Sequence, residues 1–428
     1  MDRNTETLDK PEPSGGGSDV AATPGLILVS SAGQPTLATI STHEGETLVL
    51  GRGAIGPTML DDPAISRQHA RIRLADGVWH VHDLGSRNGT LIDGRRIDGR
   101  HTARGPTVIR IGASLFLPRS DIRPFRGAVV EVKDGVVMGP VLGQTMAVVA
   151  RAARASSTLH ITGESGSGKE IVARAFHQLG PCKTGPFVAV NCATLPEGLA
   201  ERLLFGTRRG AYSGATDNAS GFIQSASGGT LFLDEIAELD LAVQSKLLRV
   251  LETHEVIPLG ATQAQTVQLR ICSASHRSLR ELVALRHFRE DLYFRIARPE
   301  VVVPPLRDRG EEIPWLIERQ LGEHPTHVSL AEECLLRRWP GNVRELLAEV
   351  RAAALAAGDE PVEGRHLSDS AGGEFDASPR IAHRTAPPSS DEIRAALRHE
   401  HGNVTRAAAR LGLHRTQLRR WLEKKGGD

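Results

Sequence analysis

The stretch GESGSGKE, residues 163–170, constrains the fold of this chain more than any other feature. It follows the apolar run TLHITG and opens the amphipathic run KEIVARAFHQL, which predicts a strand, a glycine-rich turn and a helix. Glycines let the backbone N–H groups of such a turn wrap a phosphate, and Lys169 adds charge for the terminal phosphates. The predicted nucleotide-binding residues are Gly163, Glu164, Ser165, Gly166, Ser167, Gly168, Lys169 and Glu170.

A second motif, GGTLFLDEI at residues 228–236, completes the predicted site. Its apolar centre predicts a buried strand that ends in Asp234, a candidate ligand for Mg²⁺, and Glu235, a candidate for activating water. Glu170 stands where such a turn usually carries a Ser or Thr ligand for Mg²⁺, so the metal must depend on other groups. Either motif alone gives false positives, but the ordered pair predicts an ATPase that uses ATP and Mg²⁺.

Three arginines further along the chain are candidates for reaching a bound nucleotide. FREDLYFR carries Arg289 and Arg295, and WPGNVREL carries Arg344. The simpler alternative is that these arginines are solvated surface charge. Arg289 and Arg295 also fit groups that reach the γ-phosphate held by a neighbouring subunit, and Arg344 is predicted to bind the nucleotide. If the arginines come from the next subunit, hydrolysis requires assembly.

The chain of 428 residues is too long for one ordinary domain. Short apolar stretches between turns predict an all-β sandwich, and alternating strands and helices predict an α/β domain with a helical lid; a small all-α unit follows. The predicted boundaries are 1–24 for a disordered segment, 25–118 for the sandwich, 119–132 for a linker, 133–309 for the α/β subdomain, 310–367 for the lid, 368–388 for a linker and 389–428 for the C-terminal unit.

Three segments of the predicted sandwich fall where strands give way to turns: GR at 51–52, SRQH at 66–69 and DLGSRNGT at 83–90. Loops at one end of a sandwich would bring them together. Arginine supplies charge-assisted donors for phosphate, serine adds a hydroxyl group, and asparagine can hold a peptide backbone. The simpler alternative is a hairpin turn with solvated arginines. The predicted phosphopeptide contacts are Arg52, Ser66, Arg67, Arg87 and Asn88.

Together these segments resemble the forkhead-associated domain, which binds phosphothreonine peptides. The resemblance makes Arg52, Ser66 and Asn88 the best-supported contacts and gives His69 a structural role in bracing the loop. It implies a phosphothreonine-containing partner protein or peptide and a Ser/Thr kinase upstream.

The run from about residue 141 to 367 resembles the AAA+ domain of bacterial enhancer-binding proteins, the activators of sigma-54 RNA polymerase. The motifs that carry the resemblance are GESGSGKE, FVAVNCA, RLLFG, GAYSGA, GGTLFLDEI, LLRVLE, FREDLYFR, PPLRDR and WPGNVREL. In that family a glutamate at the position of Glu170 is usual, and Asn191 matches an asparagine that restrains the catalytic glutamate. The family also implies a homo-oligomer, dimer to hexameric ring, in which Arg289 and Arg295 complete the neighbour's site.

The run GAYSGA corresponds to a loop, normally GAFTGA, with which this family grips sigma-54. Small residues make a narrow, mobile loop, and the replacements Tyr212 and Ser213 keep an aromatic ring and a hydroxyl group. The simpler alternative is an ordinary flexible glycine loop. The predicted sigma-54 contacts are Gly210, Ala211, Tyr212, Ser213, Gly214 and Ala215.

The strand LRICSASH departs from the family pattern. The family usually ends this strand with Thr-Asn near the γ-phosphate, whereas this chain has Ser275-His276. Serine can still donate to a phosphate, but histidine is bulkier and titratable. We expect altered coupling between hydrolysis and loop movement.

The C-terminal run GNVTRAAARLGLHRTQLRRWLEKKG predicts two helices joined by a tight turn at Gly412, each with one apolar face. This is the layout of a helix-turn-helix, and it resembles the Fis-type domain of the same activators; the simpler alternative is a basic amphipathic helix. Such units pair as dimers, so we expect a palindromic enhancer site with half-sites about 34 Å apart. The predicted DNA contacts are Arg415, Thr416, Gln417, Arg419 and Arg420.

Charge and cysteine content limit the remaining possibilities. Lys and Arg total 52 against 51 Asp and Glu, so the chain has no global basic field, but residues 391–428 carry nine basic and five acidic residues, which suits a polyanion. The four cysteines show no C-x-x-C spacing, which predicts free thiols. A polar N-terminus and the lack of a long apolar run predict a cytoplasmic protein without a membrane segment, and the family resemblance implies a bacterial one.

The sequence therefore predicts an ATP-hydrolysing transcription activator that binds enhancer DNA and remodels sigma-54 polymerase under phosphothreonine control. Two alternatives stay open. One is a DNA-binding regulator that acts without sigma-54, and the other is a phosphothreonine-binding scaffold with a weak ATPase.

Overall fold

The computed structural model describes residues 22–373, except 55, 197 and 212–217, together with residue 393. Two compact units make up the chain, Met1–Gly372 and Gly373–Asp428, and the described stretch up to residue 372 belongs to the first. Most of the predicted disordered segment and of the second linker lies outside the described residues, and so does the C-terminal unit apart from residue 393.

Two antiparallel sheets form the N-terminal domain and confirm the predicted sandwich. Its strands are β1 (Gly25–Ser31), β2 (Gln34–Ser41), β3 (Thr47–Leu50), β4 (Ala70–Ala75), β5 (Val78–Asp83), β6 (Thr90–Ile92), β7 (Arg95–Arg96), β8 (Arg100–Ala103), β9 (Ile109–Ile111) and β10 (Ser114–Arg119). One sheet has the order β2-β1-β10-β9-β6-β7 and the other β3-β4-β5-β8.

Strands β1 and β10 are buried on both faces, which explains their unbroken apolar sequences. Leu26 and Phe116 join the core between the two sheets. Ile27 and Leu117, their neighbours in sequence, point to the opposite face and join a second cluster outside the sandwich. Strand β4, by contrast, alternates buried and exposed residues, as a strand with one solvated face does.

An α/β subdomain follows a short hairpin, β11 (Glu131–Lys133) and β12 (Val136–Met138). Its elements are α1 (Pro140–Ala155), β13 (Thr158–Thr162), α2 (Lys169–Gln178), β14 (Phe187–Asn191), α3 (Ala200–Phe205), α4 (Phe222–Ser225), β15 (Thr230–Asp234), α5 (Leu241–Thr253), β16 (Glu255–Val256), β17 (Gln265–Thr266), β18 (Arg270–Ser275), α6 (Leu279–Ala284), α7 (Glu290–Ile296) and β19 (Glu300–Val302).

The central sheet of this subdomain has the order β14-β15-β18-β13-β19, and every neighbouring pair is parallel. Because all five strands run the same way, their carboxyl ends meet at one edge of the sheet. The strand ends at that edge include Thr162, Asn191, Asp234 and Ser275. This topology brings together motifs that lie far apart in the sequence.

Three helices form the lid: α8 (Ile313–Leu321), α9 (Val328–Leu336) and α10 (Asn342–Ala357). Short 3₁₀ turns connect the larger elements at Gly56–Thr58, Arg123–Phe125, Cys192–Thr194, Ile236–Glu238, Leu306–Asp308, Gly310–Glu312 and Gly364–His366.

The sandwich packs against the lid through one continuous apolar cluster. The cluster contains Ile27 and Leu117 of the sandwich together with Leu316, Leu335 and Trp339 of the lid region. Residues 119–132, predicted as a linker, contribute to the same cluster through Ile122 and Phe125, which are buried. These two apolar side chains are the physical reason why the segment packs rather than standing free.

All four cysteines are free thiols, and three of them are buried, as predicted. Among the described residues, no helix is both long and apolar enough to cross a membrane. No group of three or more His, Cys, Asp or Glu side chains in the described part of the chain is arranged to hold a metal ion by itself.

Candidate functional site

The glycine-rich turn lies between the end of β13 and the start of α2, in the position that its sequence predicts. Gly166 and Gly168 adopt positive φ angles of 72° and 105°, a region that favours glycine. A Cβ atom on Gly166 would overlap the carbonyl oxygen of Gly341 in the lid. The backbone therefore curls tightly in front of the N-terminus of α2, where N–H groups can receive a phosphate.

Lys169 is 7% exposed and its ammonium group sits at the centre of the site. Its Nζ donates to the carbonyl oxygens of Gly163 at 3.0 Å and Glu164 at 3.4 Å. It also contacts Oε1 of Glu235 at 3.3 Å. One cation thus links the phosphate turn to the acidic pair at the end of β15.

Asp234 and Glu235 follow one another at the carboxyl edge of the sheet, and Glu235 has a φ angle of 51°. Burial and the neighbouring Glu235 charge raise the pKa of Asp234. Burial alone would also raise the pKa of Glu235, but the His276 hydrogen bond and the Lys169 charge hold it below its ordinary value. The structure therefore keeps Glu235 ionised as an acceptor, and a cation beside Asp234 would relieve the repulsion between the two carboxylates.

A cavity of about 460 Å³ opens in front of these groups, between the α/β subdomain and the lid. It collects most of the nucleotide and catalytic residues that the sequence predicts. Those lining it are Ser165, Gly166, Ser167, Gly168, Lys169, Glu170, Asn191, Asp234, Glu235 and Arg344. Gly163 and Glu164 do not line the cavity; both contact Lys169, and Glu164 also contacts Asn342 of the lid.

The residues present fit a nucleotide with Mg²⁺. The buried Oγ of Ser167 has no hydrogen-bond partner among the described residues, so it is a donor for a phosphate oxygen. Asp234 offers a hard carboxylate oxygen, and Mg²⁺ commonly takes one or two carboxylates and completes its shell with phosphates and water. The carboxylate of Glu170 instead forms an ion pair with Arg174, one turn along α2.

Asn191 ends β14, and the pair Ser275-His276 lies at the end of β18; these two strands flank β15. The Oδ1 of Asn191 accepts the Ala193 backbone N–H at 3.0 Å and so starts a short helical turn. The Ser275 hydroxyl donates to the Arg277 carbonyl at 2.8 Å. His276 instead reaches Glu235, with 2.7 Å between its Nδ1 and Oε2 of the carboxylate.

The lid and the short segment before it hold the phosphate turn through residues that the sequence reasoning largely missed. Arg344, which was predicted, donates to the Ser165 hydroxyl at 3.2 Å. Arg307 forms a two-pronged ion pair with Glu164, at 2.7 and 2.9 Å, which lowers the pKa of that glutamate. Asn342, wholly buried, donates to Glu164 at 3.1 Å and to the Ser165 carbonyl.

Arg309 and Glu312 form a buried ion pair beside the cavity, with 3.0 Å between Nη1 and Oε2. Arg309 also donates to the Ser167 carbonyl at 2.9 Å. Burial raises the pKa of Glu312 to about 7, against the opposing effect of the Arg309 charge. The motif PPLRDR signalled this region, but the groups of the phosphate turn that its arginines bind, Glu164 and Ser167, are more than a hundred residues away in the sequence.

The two arginines predicted to serve a neighbouring subunit are engaged within this chain. Arg289 precedes α7 and forms a two-pronged ion pair with Asp291, at 2.7 and 3.0 Å. Arg295, on the same helix, donates to the Leu251 carbonyl at 3.1 Å. Neither lines the nucleotide cavity of its own chain.

The GAYSGA loop is described only at its base. Gly210 has a φ angle of 80°, and the Ala211 N–H donates to the Arg208 carbonyl at 3.1 Å. Thr207 and Ala219 pair as a short antiparallel bridge below the loop. Tyr212, Ser213, Gly214 and Ala215 lie outside the described residues, as do the predicted DNA contacts Arg415, Thr416, Gln417, Arg419 and Arg420.

The predicted phosphopeptide residues come together on adjoining loops of the sandwich. The Arg52 backbone N–H donates to the Ser66 carbonyl at 3.1 Å, and Gly53 likewise contacts Arg67 at 2.9 Å. The Ser66 hydroxyl accepts the Arg87 N–H at 3.2 Å. Asn88 donates through its amide to the Ala64 carbonyl at 2.6 Å. Arg52, Arg67, Arg87 and Asn88 are exposed, so a basic, donor-rich surface faces solvent.

His69 braces these loops from below and is wholly buried. Its Nδ1 accepts the Ser66 N–H at 3.1 Å, and its Nε2 donates to the Gly89 carbonyl at 3.1 Å. Asp83 anchors the following turn. Although burial would raise its pKa, hydrogen bonds from Ser86 and Thr90 hold that pKa below its ordinary value.

Comparison with known proteins agrees with this architecture. The family model described as Sigma-54 interaction domain matches residues 137–302, the FHA domain model matches 48–112, and the model for bacterial regulatory protein, Fis family, matches 389–424. The central domain is thus a nucleotide-binding AAA+ ATPase domain, as predicted.

Relatives of known type cover most of the chain. Nitrogen fixation protein VnfA of Azotobacter vinelandii is 39% identical over 285 residues, which span 62% of this chain and 54% of VnfA. Transcriptional regulatory protein GlrR of Escherichia coli K12 is 36% identical over 298 residues, which span 68% of this chain and 67% of GlrR. The structure of NtrX from Brucella abortus in complex with ATP matches with a TM-score of 0.53 at 30% identity, over 68% of this chain and 69% of NtrX.

The motifs, the fold and these relatives lead to one family. Its hallmark domain lies at the centre of the chain, between an FHA domain and a Fis-type helix-turn-helix segment. The chain belongs to the sigma-54-dependent transcriptional activators.

Proposed function

We propose that this protein binds enhancer DNA, hydrolyses ATP and uses the hydrolysis to remodel sigma-54 RNA polymerase, under control of a phosphothreonine ligand. The observation that carries the proposal is the cavity in which Lys169, Asp234 and Glu235 converge in front of the glycine-rich turn. The ATP complex of NtrX, a relative with the same fold, supports ATP as the nucleotide.

The chemistry follows from where these side chains stand. Lys169 and the turn N–H groups bind and orient the phosphates, and Glu235 accepts a proton from the attacking water. Mg²⁺ held by Asp234 would neutralise charge on the phosphates. Arg344 of the lid adds a positive charge to the same cavity.

Assembly into a dimer or hexameric ring would bring in the remaining groups. Arg289 and Arg295 lie away from their own chain's cavity, which is consistent with contact to the γ-phosphate bound by a neighbouring subunit. Such an arginine is worth roughly 10³–10⁵ in rate. The Tyr212 loop would press on sigma-54, and the Fis-type segment would hold the enhancer; a cytoplasmic location stays a prediction.

Regulation by phosphothreonine is supported by the loop cluster and by the position of the sandwich. Arg52, Ser66, Arg67, Arg87 and Asn88 present charge-assisted and neutral donors at one surface. The same sandwich packs on the lid that supplies Arg344 to the nucleotide cavity. A Ser/Thr kinase acting on a partner or on this chain's own segments would supply the ligand.

A reconstituted transcription assay with sigma-54 polymerase and ATP tests the main proposal. Tyr212→Ala is expected to abolish activation and leave hydrolysis intact, because it removes the aromatic contact but not the site. Tyr212→Phe is the matched control and should stay active. Unchanged activation by Tyr212→Ala would favour a regulator that acts without sigma-54.

Hydrolysis itself is tested with Lys169→Ala. Loss of the buried ammonium group should reduce the ATPase rate to background, since no other lysine lines the cavity among the described residues. Equal rates in the two proteins would support a phosphothreonine-binding scaffold instead.

Phosphopeptide recognition is tested by titrating phosphothreonine and unmodified peptides into the full chain. Arg52→Ala should weaken phosphopeptide binding by roughly 10–100-fold, the value of a charge-assisted hydrogen bond. Arg71→Ala, an exposed arginine on β4, is the charge-matched control. Identical affinities for both peptides would reject this part of the proposal.

A further inference from the structure

His276 stands at the edge of the nucleotide site, directly after the end of β18. Its side chain is 47% exposed, whereas that of Glu235 is 15% exposed. The proposed function gives His276 no role.

The contact between His276 and Glu235 is short and has a defined direction. Nδ1 of the imidazole lies 2.7 Å from Oε2 of the carboxylate, and the His276 backbone N–H donates to the same oxygen at 3.3 Å. A carboxylate accepts and does not donate, so Nδ1 carries the proton. Lys169 contacts the other oxygen, Oε1, at 3.3 Å. The two oxygens of Glu235 are therefore held by different residues.

Among the described residues, the hydrogen bonds to the Glu235 carboxylate come from Lys169 and His276, and none comes from Asn191, the asparagine expected to restrain this glutamate. Asn191 uses Oδ1 to accept the Ala193 N–H at 3.0 Å, which fixes the start of a 3₁₀ turn. We propose that His276, rather than Asn191, is the positioning residue for Glu235, and that its Nδ1–H aims the carboxylate at the attacking water. This inference rests on the ATPase activity and is independent of the contact with sigma-54.

Lys169 and His276 hold the Glu235 carboxylate in balance between them. If the imidazole donor is removed, the attraction of Lys169 alone orients the carboxylate, and Glu235 turns away from the attacking water. The loss is therefore expected in kcat rather than in nucleotide binding. An asparagine at position 276 can place an amide N–H close to where the imidazole Nδ1–H stands, whereas leucine fills similar space without a donor.

The test compares His276→Leu with His276→Asn by steady-state ATP hydrolysis at saturating protein. We expect His276→Leu to lower kcat at least tenfold with KM within about twofold, because positioning a general base is worth roughly 10²–10⁴ in rate. His276→Asn should recover most of the rate. Arg277→Ala is the control, since this neighbour pairs with Glu238 and does not touch Glu235.

A second readout does not depend on turnover. Binding of a fluorescent, non-hydrolysable ATP analogue should stay within about twofold of the wild type in both His276 variants, which separates positioning from binding. In a Glu235→Gln background, His276→Leu should have no further effect on the residual rate, because the residue acts through Glu235.

Wild-type kcat in His276→Leu, or an equal defect in His276→Asn and His276→Leu, would overturn the inference. If His276→Leu has a lower melting temperature than the wild type, His276→Ala replaces it in the comparison with His276→Asn. Lys169→Ala, measured in parallel, distinguishes failure of this inference from failure of the ATPase proposal. If Lys169→Ala hydrolyses ATP as fast as the wild type, the ATPase proposal itself is wrong. If Lys169→Ala is inactive while His276→Leu is fully active, only the inference about His276 is wrong.

Discussion

At the scale of single residues, His160 shows how burial sets a charge state. It lies in β13, an interior strand of the parallel sheet, and is 2% exposed. Its Nδ1 shares a 2.9 Å hydrogen bond with the hydroxyl of Ser273 on β18, and its Nε2 has no hydrogen-bond partner among the described residues. Burial lowers the pKa of His160 to about 4, so the folded protein keeps the ring neutral.

This residue is expected to make the protein less stable in acid. The unfolded chain binds a proton near the ordinary histidine pKa of about 6.5, whereas the folded chain binds it only near pH 4. The stability that the neutral ring contributes is therefore complete above about pH 6.5 and is lost as the pH falls toward 4. At pH 5 the loss is on the order of 2 kcal/mol. His160→Gln, which cannot titrate, should lose less melting temperature between pH 7.5 and pH 5 than the wild type. Parallel losses in the two proteins would contradict the assignment.

At the scale of elements, the start of α10 is a junction between the lid and the phosphate turn. Asn342 begins this helix with a φ angle of 52° and is fully buried. Its Oδ1 accepts the Leu306 N–H at 2.7 Å, and its amide donates to Glu164 and to the Ser165 carbonyl. Asparagine tolerates this conformation and satisfies three neighbours at once, which explains why this residue type suits the position.

Two substitutions separate backbone strain from hydrogen bonding at this junction. Asn342→Gly keeps the left-handed conformation but loses the side-chain bonds, and should cost about 2 kcal/mol or more, because buried groups are left unpaired. Asn342→Ala adds the strain of a positive φ, roughly 1 kcal/mol further. Thermal unfolding and ATP affinity measure both. An alanine variant as stable as the glycine variant would show that strain is unimportant here.

At the scale of the whole described unit, the sandwich and the lid share a core. Besides the apolar cluster, Arg110 of β9 pairs with Glu332 of α9 at 3.3 Å, and this glutamate side chain is only 5% exposed. Burial raises the pKa of Glu332 and the Arg110 charge opposes the rise. Movement of the lid must therefore carry the sandwich with it or break this interface.

Arg110→Ala is expected to destabilise the unit by about 3 kcal/mol, because it leaves a buried carboxylate without its cation. Glu333→Ala, which removes an exposed carboxylate on the same helix, is the control and should change little. The double variant Arg110→Ala with Glu332→Ala should recover part of the loss. A single variant no less stable than the control would contradict the role of this pair.

The same interface predicts how a ligand signal travels. If the sandwich acts through the lid, phosphothreonine peptide should change the ATPase rate of the wild type, and the change should shrink in Arg110→Ala although peptide affinity is kept. The measurement is hydrolysis with and without peptide. An equal response in both proteins would place the coupling elsewhere.

Much of the site could be predicted because its parts are local in sequence. The glycine turn is eight consecutive residues, and Asp234-Glu235 ends one apolar strand; each is specified by neighbours along the chain. Arg52, Ser66 and Asn88 could also be grouped, since each lies in a loop between strands of a sandwich. Arg307, Arg309 and Asn342 received no role, because an isolated arginine or asparagine carries no signal of which distant group it will meet.

The sequence by itself determined the order of domains, the phosphate turn and the acidic pair, since turn chemistry and apolar periodicity act over a few residues. The tertiary structure decided which donors hold Glu235, because Lys169 and His276 lie 66 and 41 residues from it in the chain and meet it only through the parallel register of β13, β15 and β18. It also decided that β1 and β10 carry a second buried face. An unbroken apolar strand indicates burial on both sides but not which surface covers it, and here that surface is the lid.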